Sequence, residues 1–326
     1  TITEQNIVDG GTNYYNPFYN LSRNTFPTEG PYLEDGSYRP ELQNGYYNVV
    51  RERDLNENKA DLFRSMNTGF IEFRPFEFLT FRSTNSIDWI NNEQTRYASP
   101  LSRSGEDEGG YVNITNRKRI TTTTSNLLTF DKIFLDLHHI NVIGAFEASE
   151  QRSTQYGVTG DGLPNETIDN IGATAIPTSA YGYDEGSSIL SYIGRVNYDF
   201  KNKYYASASI RRDGSSRLGA DERWANFWSV SGAWRISSEQ FMLKLNFLDD
   251  LKIRASYGTS GNLPPGLYEH LALYAYDDTY DGNVAATESS LGNSTLTWEK
   301  NANFNIGVDF TLFKVVSGSV EYFQRN

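Results

Sequence analysis

Between Leu190 and Ile236 apolar and polar residues alternate with period two through three successive runs, which are joined by one short and one long connection. Leu190, Tyr192, Val196, Tyr198 and Phe200 fall on one face, and Ser191, Arg195, Asn197 and Asp199 on the other. The second run sets Tyr204, Ala206, Ala208 and Ile210 against Tyr205, Ser207, Ser209 and Arg211; the third sets Trp228, Val230, Trp234 and Ile236 against Ser229, Ser231 and Arg235. A period of two excludes an amphipathic helix and demands a sheet with one apolar and one polar face. In a soluble sandwich the apolar face meets a core. In a membrane barrel it meets lipid, and the polar face lines a wet lumen.

Connection lengths and aromatic placement favour the barrel. Tyr198, Phe200, Tyr204 and Tyr205 crowd around the tight link at 199–203, whereas the opposite link, 212–223, is long, charged and rich in Gly and Ser. Short turns at one end, long loops at the other and aromatic girdles at the interfaces are the asymmetry of an outer-membrane barrel.

The same residues carry a family resemblance. YIGRVNYDFKNKYYASASIRRDGSSRLG, then RWANFWSVSGAWRISSEQFM, DLKIRASYGTSGN and LTWEKNANFNIGVDFTLF, in that order, resemble the barrel of SusC-like (SusC/RagA-type) TonB-linked outer-membrane transporters. The resemblance implies a barrel of about 22 strands around a plugged lumen, with uptake driven by TonB acting on a plug. It also implies a SusD-like surface lipoprotein capping the long loops. Nothing in this chain matches the plug or the TonB-contacting segment.

The chain of 326 residues has no cysteine and a net charge of −12, which removes thiolate metal sites and Cys nucleophiles and makes nucleic acid an unexpected partner. No run approaches the 18 apolar residues of a membrane helix, and the mean hydropathy is −0.57. Neither excludes a barrel, whose strands need only about 9 to 11 residues with every second one apolar. The chain opens polar, without a leader, and closes on GSVEYFQRN inside an alternating run. A piece of a longer outer-membrane protein is therefore expected.

The expected fold is all-β, an antiparallel transmembrane β-barrel in part, with about ten strands and long extracellular loops. Residues 1–56, rich in Tyr, Asn, Pro and Gly without periodicity, read as a long extracellular-type loop region, and 57–326 as the partial barrel. Within it the spacing predicts a hairpin of 59–74 and 77–89 across Pro75, and another of 119–131 and 132–149 across a tight link. The three runs from 190 follow, then a short helix or turn at 238–250, a strand at 251–258, and a last pair at 303–312 and 316–323. Long loops are expected at 91–118, 150–188, 212–223 and 259–297.

Candidate chemistry is sparse. His138 and His139 are neighbours on a predicted strand and point to opposite faces, which spoils a shared metal site, and His270 is alone in a loop. Asp213-Gly214-Ser215-Ser216 lacks the Gly-Lys-Ser/Thr ending of a phosphate loop and reads as structural. Asp277, Asp281, Gly282 and Glu288 fall at positions 1, 5, 6 and 12 of an EF-hand-like loop, a weak calcium hypothesis; Thr279 departs from the pattern and no flanking helices are visible. Loop aromatics, including Tyr14, Tyr15, Phe18, Tyr19, Tyr32, Tyr38, Tyr46 and Tyr47, suit sugar rings or pack against partners. Tyr181, Tyr183, Tyr268, Tyr274, Tyr276 and Tyr280 are the candidate substrate contacts. Arg195, Arg211, Arg235, Lys252 and Arg254 are expected to face the lumen.

No arrangement of Ser, His and carboxylate defends an enzyme. The function expected is import of an oligomeric nutrient, a glycan before a peptide, across the outer membrane of a Gram-negative bacterium, with outer-membrane lipid, TonB and a SusD-like lipoprotein as partners. A secreted or surface-displayed β-rich adhesin or lectin is the alternative.

Overall fold

The computed structural model describes residues 2–6, 26, 28–40, 48–242, 244–245 and 247–326. The strands are β1 (Ile2–Asn6), β2 (Glu57–Phe76), β3 (Leu79–Ala98), β4 (Tyr111–Phe134), β5 (His138–Asp161), β6 (Ile176–Phe200), β7 (Tyr204–Ser215), β8 (Trp224–Arg235), β9 (Leu248–Asn262), β10 (Leu273–Tyr280), β11 (Asn283–Ser290), β12 (Glu299–Leu312) and β13 (Val316–Arg325). Eleven of them form one sheet in the order β1-β2-β3-β4-β5-β6-β7-β8-β9-β12-β13, and β10 and β11 pair separately. β1 with β2, β6 with β7, β7 with β8, β8 with β9, β9 with β12, β12 with β13 and β10 with β11 pair antiparallel.

All ten expected strands are present, but β2 to β6 run 20 to 25 residues, well beyond the length needed to cross a bilayer. The expected loops at 91–118 and 150–188 therefore shrink to 99–110 and 162–175. Their flanks carry polar residues on both faces, so alternation fades before the ladder stops. The first turn lies at Glu77-Phe78 rather than at Pro75, which lies within β2. Among the described residues β1 pairs with β2 from Lys59 to Phe63. The second turn sits at Leu135-Asp136, not at 131–132, and both residues adopt positive φ, 52° and 54°. Lys201-Asn202 and Phe313-Lys314 do the same, as the central pair of a turn whose twist matches that of the strands requires. Neither Leu-Asp nor Phe-Lys advertises that turn in sequence.

The chain divides into two compact units. The first comprises 1–66, 88–120 and 152–185. Residues 1–56, expected to be one loop, contribute β1 and a helix, α1 (Val49–Leu55). Asn48 caps α1 by accepting from Val50 N at 3.1 Å, while its own amide donates to the carbonyls of Pro31 at 2.7 Å and Arg39 at 3.0 Å. Buried Glu52 accepts from Arg103 N at 2.7 Å and from the Asn56 amide at 3.2 Å, tying α1 to 99–110. Tyr97, Val112 and Leu163 form a small core with Ile114 and Ile171 against it. Of the tyrosines expected in this region, Tyr14, Tyr15, Tyr19, Tyr46 and Tyr47, with Phe18, lie outside the described residues, and Tyr32 stacks on Tyr38 at 5.4 Å.

The second unit comprises 67–87, 121–151 and 186–326. Its register sets apolar against apolar (Ile210 and Trp228, Val230 and Tyr257, Val308 and Val320) and polar against polar (Asn197 and Ser207, Ser209 and Ser229, Lys252 and Asp309). A slip of one residue would reverse every side chain. The tight turns are laced sideways: Lys201 N donates to Leu137 O, Arg235 N to Lys203 O and Phe313 N to Phe247 O. The 3-10 turn (Ile236–Ser238) leads into 238–250, where β9 begins at Leu248. Leu218, Ala225, Phe227 and Trp298 are buried together.

Candidate functional site

The apolar face of the second unit is not covered. Ile210, Val230 and Trp228 are 58%, 47% and 44% exposed, although a soluble sandwich would bury them. Two aromatic belts bound this face. Toward the tight turns His138, Phe200, Tyr204 and Trp234 form a chain with centroid spacings of 4.9, 6.3 and 6.4 Å. Toward the other end Phe146, Tyr192 and Trp224 follow one another at 5.4 and 6.2 Å. On β8 the two belts are marked by Trp224 and Trp234, ten residues apart. At about 3.3 Å per residue and a tilt of about 40°, that is about 25 Å along the membrane normal, the height of a barrel's apolar band.

The opposite face is a hydrogen-bonded polar surface. Ser207 meets Ser231 at 2.8 Å, Ser209 meets Ser229 at 2.7 Å, and the Asn197 amide donates to Asn141 Oδ1 at 3.0 Å. The five expected lumen cations lie on this face, and four of them are paired with carboxylates. Arg211 bonds Asp213 at 2.7 Å and Ser191 at 2.9 Å; Arg235 pairs with Asp250 at 3.3 Å; Lys252 and Arg254 share Asp309 at 3.3 Å, and Arg254 also reaches Glu321 at 3.2 Å. Arg195 Nε donates to Asn197 Oδ1 at 3.0 Å. A hollow of about 530 Å³ opens on this face, lined in part by His139, Asn197, Tyr205, Ser231, Lys252 and Arg254. His138 bonds Tyr198 OH at 2.8 Å and His139 bonds Asp131 at 3.0 Å, on opposite faces.

The candidate aromatic contacts divide into separate groups. Tyr181 and Tyr183 stand on β6 rather than in a loop, joined through Gln155. Hydrogen bonds with Thr115 and Gln155 hold the Tyr181 phenol below the ordinary tyrosine pKa. Tyr268 fastens its hydroxyl to Gly186, accepting from N at 2.8 Å, and so holds a loop in place. Tyr274, Tyr276 and Tyr280 project from the β10–β11 hairpin, 61%, 73% and 81% exposed.

That hairpin falls inside the expected loop 259–297, and its Asp281-Gly282 is the strongest short-range sequence signal for one. Both residues take positive φ, 50° and 75°, at its tip. Glu288 lies opposite Tyr274, away from the tip, so Asp281 and Glu288 do not share one EF-hand-like loop. Among the described residues no three or more acidic, His or Cys side chains gather to hold a metal.

Asp213-Gly214-Ser215 ends β7 and does structural work. Asp213 is buried against Arg211, and a Cβ at Gly214 would lie 2.8 Å from the Trp224 ring. Just beyond, Leu218 is fully buried, and a Cβ at Gly219 would meet the Ser294 carbonyl oxygen at 1.9 Å. Trp298 Nε1 donates to Arg223 O at 2.9 Å, closing the loop 216–223 over this core.

Comparison with known proteins places these features in a family. Residues 3–326 match the family described as TonB dependent receptor-like, beta-barrel. TonB-dependent receptor P39 of Formosa agariphila is 32% identical over 288 residues, which cover 86% of this chain and 27% of that protein. TonB-dependent receptor SusC of Bacteroides thetaiotaomicron is 33% identical over 152 residues, 44% of this chain and 15% of that protein. The solved structure of the RagAB peptide transporter superposes with a TM-score of 0.83 at 22% identity, over 90% of this chain and 34% of that one, a likeness of fold. The chain thus spans roughly a quarter to a third of the relatives it matches over most of its length.

Proposed function

The chain belongs to the TonB dependent receptor-like β-barrel family, and from that premise we propose that it is a wall segment of an outer-membrane importer of oligomeric nutrients in a Gram-negative bacterium. TonB would act through a plug carried elsewhere in the longer protein. A SusD-like lipoprotein would cap the loop end, and the chain itself does no covalent chemistry.

The observation that carries this reading is the opposition of the two faces on the same strands. Exposed apolar residues between two aromatic belts suit lipid, and the largely ion-paired polar face behind them suits a wet lumen. With Arg211, Arg235, Lys252 and Arg254 paired to Asp213, Asp250, Asp309 and Glu321, and Arg195 hydrogen-bonded to Asn197, that wall offers polar contacts without a strong field for ions of either sign. This suits an uncharged oligomer, a glycan before a peptide.

The test is uptake and fractionation of the full-length protein. It is expected to stay in the membrane pellet through a carbonate wash and to support uptake of an oligosaccharide only in cells with functional TonB. Release by carbonate, or uptake indifferent to TonB, overturns the reading.

A further inference from the structure

The tyrosine pair of β6 stands on a wall whose other side is already filled. In β4, Val112 and Ile114 pack with Tyr97, Leu163 and Ile171, so Asn113, Thr115 and Arg117 turn to the opposite face. On that face lies Gly157 of β5, where an added Cβ would fall 2.6 Å from Cε1 and 2.7 Å from Cζ of Tyr181. The Tyr181 ring therefore rests directly on glycine backbone. One side of it is covered by main chain, and the residue is still 44% exposed.

Polar contacts hold the ring there. Its hydroxyl lies 3.5 Å from Gln155 Nε2 and 3.4 Å from Thr115 Oγ1. Tyr183, 48% exposed, donates to Gln155 Oε1 at 3.0 Å, so one amide holds both rings. Nearby, Arg117 pairs with Glu185 at 3.4 Å, and the Asn113 amide donates to Thr159 Oγ1 at 2.7 Å. Aromatic rings also cover Gly214 and Gly318, by Trp224 and Phe310, but those lie on the apolar face, where cover alone accounts for them. At Gly157 the surroundings are amides, hydroxyls and a matched ion pair.

We propose that Tyr181 and Tyr183, with Gln155 between them, form a binding subsite for neutral pyranose units of an oligosaccharide. A pyranose has a face of C–H groups that lies on an aromatic ring and a rim of hydroxyls that both donate and accept, as an amide does. The matched Arg117–Glu185 pair leaves no net charge to select an ionic substrate. A peptide that adds as a strand would need free main-chain groups, and β5 is flanked by β4 and β6, whose ladders take them. The proposal deepens the importer reading and rests on it.

The test is calorimetric titration of the full-length transporter with maltoheptaose, laminariheptaose and xylohexaose, and with a neutral Ala/Ser decapeptide as the counter-probe. At least one oligosaccharide is expected to bind, Tyr181→Ala and Tyr183→Ala each to weaken it about tenfold, and Tyr181→Phe to weaken it less than about threefold. Unchanged melting of these variants separates a lost contact from a lost fold. Binding by no saccharide, unchanged saccharide affinity in both alanine variants, or loss confined to the decapeptide overturns the subsite. Uptake that needs TonB but ignores Tyr181→Ala removes the subsite and keeps the importer, whereas uptake without TonB removes the importer.

Discussion

Single residues at the two ends of the sheet carry testable energetics. Glu239, just after the 3-10 turn, accepts from Tyr204 OH at 2.6 Å, Lys203 Nζ at 3.1 Å and Trp234 Nε1 at 3.2 Å. These bonds, Tyr204 first, then Lys203 and Trp234, hold its carboxyl below the usual glutamate value. The folded pKa therefore lies under the unfolded one, near 4.3. The stabilisation is present above that value and is lost as pH falls through the lower folded pKa. Thermal melts of wild type and Glu239→Gln are expected to differ at neutral pH and to converge in acid. A difference that stays constant from about pH 7 to pH 3 would contradict this. At the other end Leu218 is fully buried with Phe227 and Trp298, so Leu218→Ala is expected to cost about 2–5 kcal/mol. Limited proteolysis within 216–223 reports it, and a variant cleaved no faster than wild type counts against the closed loop.

At the scale of the element, each strand of the second unit is a two-sided object whose sides obey different rules. Val230 lies between Trp224 and Trp234 on the apolar face, and Ser231, its neighbour, faces Ser207. Val230→Arg is expected to destabilise folding into lipid vesicles by about 2–4 kcal/mol, as at a bilayer midplane. Ser231→Arg, one residue away, is expected to cost far less because the polar face is wet. Equal effects in a vesicle folding titration would mean that the faces are misassigned. Strand length is a separate matter. Alternation made the central part of each strand legible, yet β4 and β5 continue as ladder through stretches such as Asn113–Lys118 and Gln151–Gly157, where polar residues occupy both faces. Hydrogen bonding between backbones is indifferent to that pattern, which is why the strands outrun the alternation and the loops are shorter than it predicts.

For the whole molecule, β13 ends the strand order and pairs with β12 on one side. In a full-length barrel importer the other edge of β13 is expected to be paired as well, since an open edge in lipid leaves main-chain groups unsatisfied. Hydrogen exchange at β13 amides is then as slow as at β8, and rapid exchange in the full-length protein rules that pairing out. The sequence by itself determined the antiparallel sheet, its two faces, the turn at Lys201-Asn202 and the structural part played by Asp213-Gly214-Ser215, because period-two burial and turn chemistry are local properties. Family membership was legible too, in four ordered blocks of scaffold. Only the tertiary structure decided that Asp281-Gly282 closes a hairpin, that Glu239 gathers Tyr204 and Trp234, and that Tyr181 rests on Gly157. These depend on which strands become neighbours and in what register. Residues 24 apart in sequence, such as Gly157 and Tyr181, meet only when β5 and β6 are laid side by side.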